Sequence, residues 1–146
     1  MTIIPSKIHR KKLDFKKYVQ ELARACLAQI QHEEYDMTIK WEEGVDDGIA
    51  AEIAVDGKYL FFTLKIYAAT KRAFDAKDYR YVCQIIMHEI CHLLTEPLYL
   101  LSWRDSRPSE ERIIDETRER QTQRICYAIM KGISADFYSP KRLLGK

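Results

Sequence analysis

Apolar residues recur at helical spacing from Leu13 to about His32, where Phe15, Val19, Leu22, Ala23, Cys26 and Ile30 fall near i, i+3/i+4, i+7 and i+8. The period then changes. In "YDMTIKWEE", Met37, Ile39 and Trp41 alternate with polar neighbours, which predicts a strand with one wet face. "GVDDG" breaks the chain, and "IAAEIAVDGKYLFFTLKIY" reads as a hairpin turning at Asp56 and Gly57. Tyr59 to Tyr67 is its richest β stretch.

After "AATKRAFDAKDYRY" the pattern is helical again, capped by Asp75 or Asp78 and running to about Leu94. Pro97 is expected to stop it, leaving "TEPLYLLSWRDSRP" as a loop with room for a short helical turn. That loop reads as a cover over the core, with a substrate-groove wall or a partner surface as the other reading. Ser109 is the expected N-cap of the longest helix, "SEERIIDETRERQTQRICYAIMKGI", which Gly132 closes. The tail beyond it reads as irregular. The predicted order is helix, three strands, helix, loop, helix, an α+β arrangement with a small, mainly antiparallel sheet.

The chain has 146 residues, the length of one domain, with its core at about 13–133. Hydrophobic residues are 47% and charged residues 32%, a soluble globular composition. A net charge of +2 is far weaker than a nucleic-acid binder's footprint. The basic ends, "KIHRKKLDFKK" and "SPKRLLGK", read as solvated termini. No apolar run reaches the length of a membrane span, and no signal core opens the chain, so the expected location is the cytoplasm. Cys26, Cys83, Cys91 and Cys126 form no CxxC pair and read as buried small hydrophobes in a reducing compartment.

"QIIMHEICHLL" carries the chemistry. His88, Glu89 and His92 spell H-E-x-x-H in the middle of an apolar helix. Positions i and i+4 lie about 40° apart, so two imidazoles can reach one ion. Glu89 lies roughly 100° around the helix from His88, where it can handle a water's proton without ligating the metal. Zinc hydrolysis needs these parts: neutral nitrogen ligands, an open position and a carboxylate base. Cys91, at a free position of the motif, reads as packing rather than as a soft ligand.

"HEICH" followed by a glutamate-bearing helix resembles the zincin superfamily of zinc metallopeptidases, and more narrowly the gluzincin type. The chain is similar to short phage-associated metallopeptidases in which HE-x-x-H-x-L-x-x-P-L precedes a Glu-rich helix. The resemblance covers about residues 35–133. The glycine and third histidine of metzincins are absent, as is the "NExxSD" of larger gluzincins. It implies peptide-bond hydrolysis on a peptide or protein substrate, Zn2+ as cofactor, His88 and His92 as ligands, and Glu89 as general base. It also implies a third ligand, a glutamate on the later helix. There Ile114, Ile125, Cys126, Ile129, Met130 and Ile133 set an inward face near the line Asp115, Glu119, Thr122, Cys126, Ile129. Glu119 is the acid on that side and the favoured ligand; Glu116 and Asp115 stand as alternatives. In zincins the sheet's edge strand pairs with substrate, and Tyr59 to Tyr67 is the strand expected to do so here. No residue stands out as an oxyanion donor. The competing function is a non-catalytic zincin-fold module, whose metal serves an assembly or regulatory role.

Overall fold

The computed structural model describes residues 13–46, 48–104 and 106–145. Its helices are α1 (Phe15–Gln29), α2 (Ala68–Asp75), α3 (Tyr79–Arg104), α4 (Glu111–Lys131) and α5 (Pro140–Leu144). The strands are β1 (Asp36–Glu42), β2 (Ala51–Asp56) and β3 (Phe61–Tyr67), and the α+β class stands as expected. Helix α1 starts where Asp14 accepts from the Lys17 N–H at 3.2 Å. It buries Phe15, Tyr18, Val19, Leu22, Ala23, Cys26 and Leu27, one continuous stripe.

The sheet is mixed. Its order is β1-β3-β2, with β3 parallel to β1 and antiparallel to β2. Strand β3 therefore lies in the middle and cannot be the edge that receives a substrate. That edge is β2. Phe62, Leu64 and Ile66 on β3 are fully buried, alternating with Phe61, Thr63 and Lys65, which are exposed or half-buried. The buried set joins α1, α2, α3 and α4 in one core.

The helical segments depart from expectation in four places. The first is a separate helix, α2, before the motif helix; Asp78 then caps α3 through the Tyr81 N–H at 3.2 Å. The second is Pro97, which lies inside α3 rather than ending it. Proline removes one N–H from the ladder, but the segment beyond it is tied to α4. Tyr99 donates to Asp115 Oδ1 at 2.7 Å and stacks under the Arg118 guanidinium at 4.0 Å. The stretch read as a core-covering loop is thus helix, with Leu100, Leu101 and Trp103 exposed. Third, Ser109 sits within a 3-10 turn, Pro108–Glu110, instead of capping α4. Fourth, the tail is ordered as a 3-10 turn (Ala135–Tyr138) and α5, held to α1 by Tyr18 donating to the Tyr138 carbonyl at 2.6 Å.

Most of the N-terminal basic run, Lys7 to Lys12, lies outside the described residues. No helix among the described residues is long and apolar enough to cross a membrane. All four cysteines are buried free thiols.

Leu64 links the central strand to the helical layer. Leu64→Ala is expected to cost about 2–5 kcal/mol of unfolding free energy, read by urea denaturation.

Candidate metal centre

Helix α3 crosses the core, so most of its surface is apolar: Val82, Cys83, Ile86, Met87, Ile90, Cys91 and Leu93 are all buried. His88, His92 and Thr95 follow at i, i+4 and i+7, one stripe along the helix. Helix α4 covers that stripe with Glu119, Thr122 and Cys126, also one stripe by period. His92 Nε2 lies 3.1 Å from Glu119 Oε1, and His88 Nε2 lies 3.3 Å from Glu119 Oε2. The two imidazole rings meet edge to face, 5.2 Å between centroids. One ligand atom from each of His88, His92 and Glu119 lies within 4.8 Å of the others, the only such group of three among the described residues.

The alternatives to Glu119 are engaged elsewhere. Asp115 accepts from Tyr99, and Glu116 pairs with Arg112 at 2.9 Å on the exposed side of α4. Cys91 is buried away from the triad. Its thiol is pushed up, first by its hydrogen bond with Cys126 and then by burial.

The donor set suits a cation of zinc's class: two imidazole nitrogens and one carboxylate. The imidazole Nε2 atoms and the carboxylate oxygens point at one another. Without a proton or a metal between them, such an arrangement sets lone pair against lone pair. Burial pushes the His92 ring down to about 4, while neighbouring Glu119 opposes that shift.

Glu89 faces a different space. A groove of about 420 Å³ runs between β2 and the two helices. Glu89, His92 and Glu96 line it from α3, Arg118 and Glu119 from α4, and Ala51 to Ile53 and Val55 from β2. Strand pairing explains why β2 faces the groove with its backbone. The Tyr67 N–H donates to the Ala50 carbonyl at 3.1 Å, and Ala51 sits opposite Ile66. Glu52, Ala54 and Asp56 therefore make the ladder bonds to β3, while Ala51, Ile53 and Val55 turn their N–H and C=O groups to the open side. A backbone hydrogen bond from Ile53 to the Glu89 carboxylate fits this register. Burial pushes Glu89 up to about 8, and Glu119 and Glu52 push the same way; Arg118 and the Ile53 bond oppose it.

Two groove residues are missed by reading the sequence alone. Arg118 stacks on Tyr99, lies 3.5 Å from Glu96 and 3.9 Å from Glu119, and has a buried Nε with no hydrogen-bond partner among the described residues. Glu96 is largely buried, which raises its carboxyl above the ordinary range, with Arg118 opposing the shift. The helical period places Glu96 on the Glu89 side of α3, a signal available from spacing alone. Arg118 depends on how α4 docks and has no such signal.

No protein-family model, no curated protein and no solved structure matches the chain, so the functional argument stands on this geometry.

Elemental analysis is expected to find about one zinc per chain after reconstitution, and almost none in His88→Ala. Free zinc at a hundred times its Kd is expected to stabilise the wild-type fold by about 2.7 kcal/mol, an effect that a chelator reverses.

Proposed function

We propose that the protein is a zinc-dependent peptide hydrolase of the zincin type, with His88, His92 and Glu119 as the metal ligands. The observation that carries this reading is the combination of that triad with Glu89 in a groove walled by the free edge of β2. A site serving only stability has no use for a carboxylate beside its ligands that faces open space.

When bound, zinc supplies Lewis acidity and a water activated near neutral pH. Glu89 would accept a proton from the attacking water and pass it to the departing amine nitrogen. The outward N–H and C=O groups of Ala51 and Val55 and the Ile53 carbonyl hold the substrate extended, as an added strand, while the Ile53 N–H stays on Glu89. Arg118 lines the groove, and its guanidinium would offset the charge that develops on the carbonyl oxygen. The substrate is a peptide or an extended protein segment, because a strand edge recognises backbone. The four free thiols suit the reducing conditions of the cytoplasm.

Glu89→Gln is expected to keep stoichiometric zinc and to lower peptide hydrolysis by about 10²–10⁴-fold. Full zinc binding with no hydrolysis in the wild type would favour the non-catalytic module instead. Arg118→Ala is expected to lower kcat by about 10²–10³-fold with zinc retained, measured on the same peptides.

A further inference from the structure

Between the two ligand helices, on the far side of His92 from Glu119, lies a closed set of polar groups. Thr122 is fully buried, Thr95 and His92 nearly so. Thr122 Oγ1 donates to the Arg118 carbonyl at 2.8 Å, its shortest contact. It lies 3.0 Å from Thr95 Oγ1 and 3.4 Å from His92 Nδ1. Thr95 Oγ1 also has the His92 carbonyl within reach at 3.3 Å.

The distances suggest one set of directions. The Arg118 carbonyl can only accept and is the nearest of the three neighbours, so the single Thr122 proton is assigned to it. The Thr122 oxygen then meets its other neighbours as an acceptor. The Thr95 hydroxyl gives its own proton to the His92 carbonyl or to this oxygen, and a His92 Nδ1–H finds its acceptor here. An unprotonated Nδ1 would instead face an oxygen with no proton left to give, in a place too buried for water to make up the loss.

From this geometry we infer that Thr122 is a positioning residue for His92: its hydroxyl oxygen holds the Nδ1–H tautomer and so presents the Nε2 lone pair to the metal. The inference rests on the metal-centre reading above. It adds a device that helix spacing alone does not contain, because the hydroxyl comes from the helix opposite its histidine. Thr122 Oγ1 has one partner on each of its sides: its own helix, Thr95 and the ring. The ring is thereby fixed in tautomer and in tilt at once. Outer partners of this kind raise metal affinity by orienting the ligand and strengthening it as a base.

The test compares zinc affinity of the full chain by chelator competition in wild type, Thr122→Val and Thr122→Ser. Valine keeps the shape and removes the acceptor; serine keeps the acceptor and removes a methyl group. Thr122→Val is expected to weaken zinc binding about 10–100-fold, and Thr122→Ser to stay within about threefold of wild type. Equal losses in both variants would assign Thr122 a packing role and overturn the inference, as would an unchanged affinity in Thr122→Val. A wild type that binds no zinc overturns the metal-centre reading itself, a different outcome from either. Should Thr122→Val fail to fold, nitrogen NMR of the His92 ring in zinc-free wild type decides: a protonated Nδ1 supports the inference, and a bare Nδ1 overturns it.

Discussion

Burying α3 is the constraint from which the site follows. A helix that crosses the core must be apolar nearly all round, and any polar side chain on it must find a partner inside the protein. His88, His92 and Thr95 form the polar stripe that breaks this rule. Helix α4 answers it with Glu119 and Thr122 at matching heights, and with Cys126 one turn further on. Small residues at Thr122 and Cys126 let the two helices approach closely enough for one carboxylate to span two imidazoles. The same packing that closes the core therefore gathers at its rim two imidazoles and a carboxylate that could hold a metal.

The sheet contributes the second half of the site. Because β3 pairs with both neighbours, β2 keeps one edge open, and that edge runs along the flank of α3. The register sends Ala51, Ile53 and Val55 backbone groups to the flank, where Glu89 already takes a bond from Ile53. Glu89 is thus placed by a strand as well as by its own helix. The open edge also explains why the acid stands over a groove and not over solvent. Arg118 closes the far wall, held by the Tyr99 ring and by Glu96.

What the sequence made legible was whatever depends on period within one element. The i, i+4 spacing of His88 and His92 and the inward line through Glu119 and Thr122 are helical arithmetic, and the three residues of the triad do converge. The alternation of Met37, Ile39 and Trp41 likewise marks β1. What was hidden depends on contacts between elements. Strand order cannot be read from strand patterns, so β3, the most apolar strand, looked like an edge when its apolarity reflects its central place. Pro97 looked like a helix end because local propensity says so, whereas the Tyr99–Asp115 and Tyr99–Arg118 contacts tie the helix beyond it to α4. Arg118 was one arginine among many until the docking of α4 gave it a groove to face.

The most direct test of the account is X-ray absorption at the zinc edge on the reconstituted full chain, because it reads the identity of the ligand atoms. Two imidazole nitrogens and light oxygen ligands at about 2.0–2.1 Å, with no sulfur near 2.3 Å, are the predicted shell. A sulfur shell would move the metal to the buried cysteines and contradict the His88, His92 and Glu119 assignment on which the rest stands.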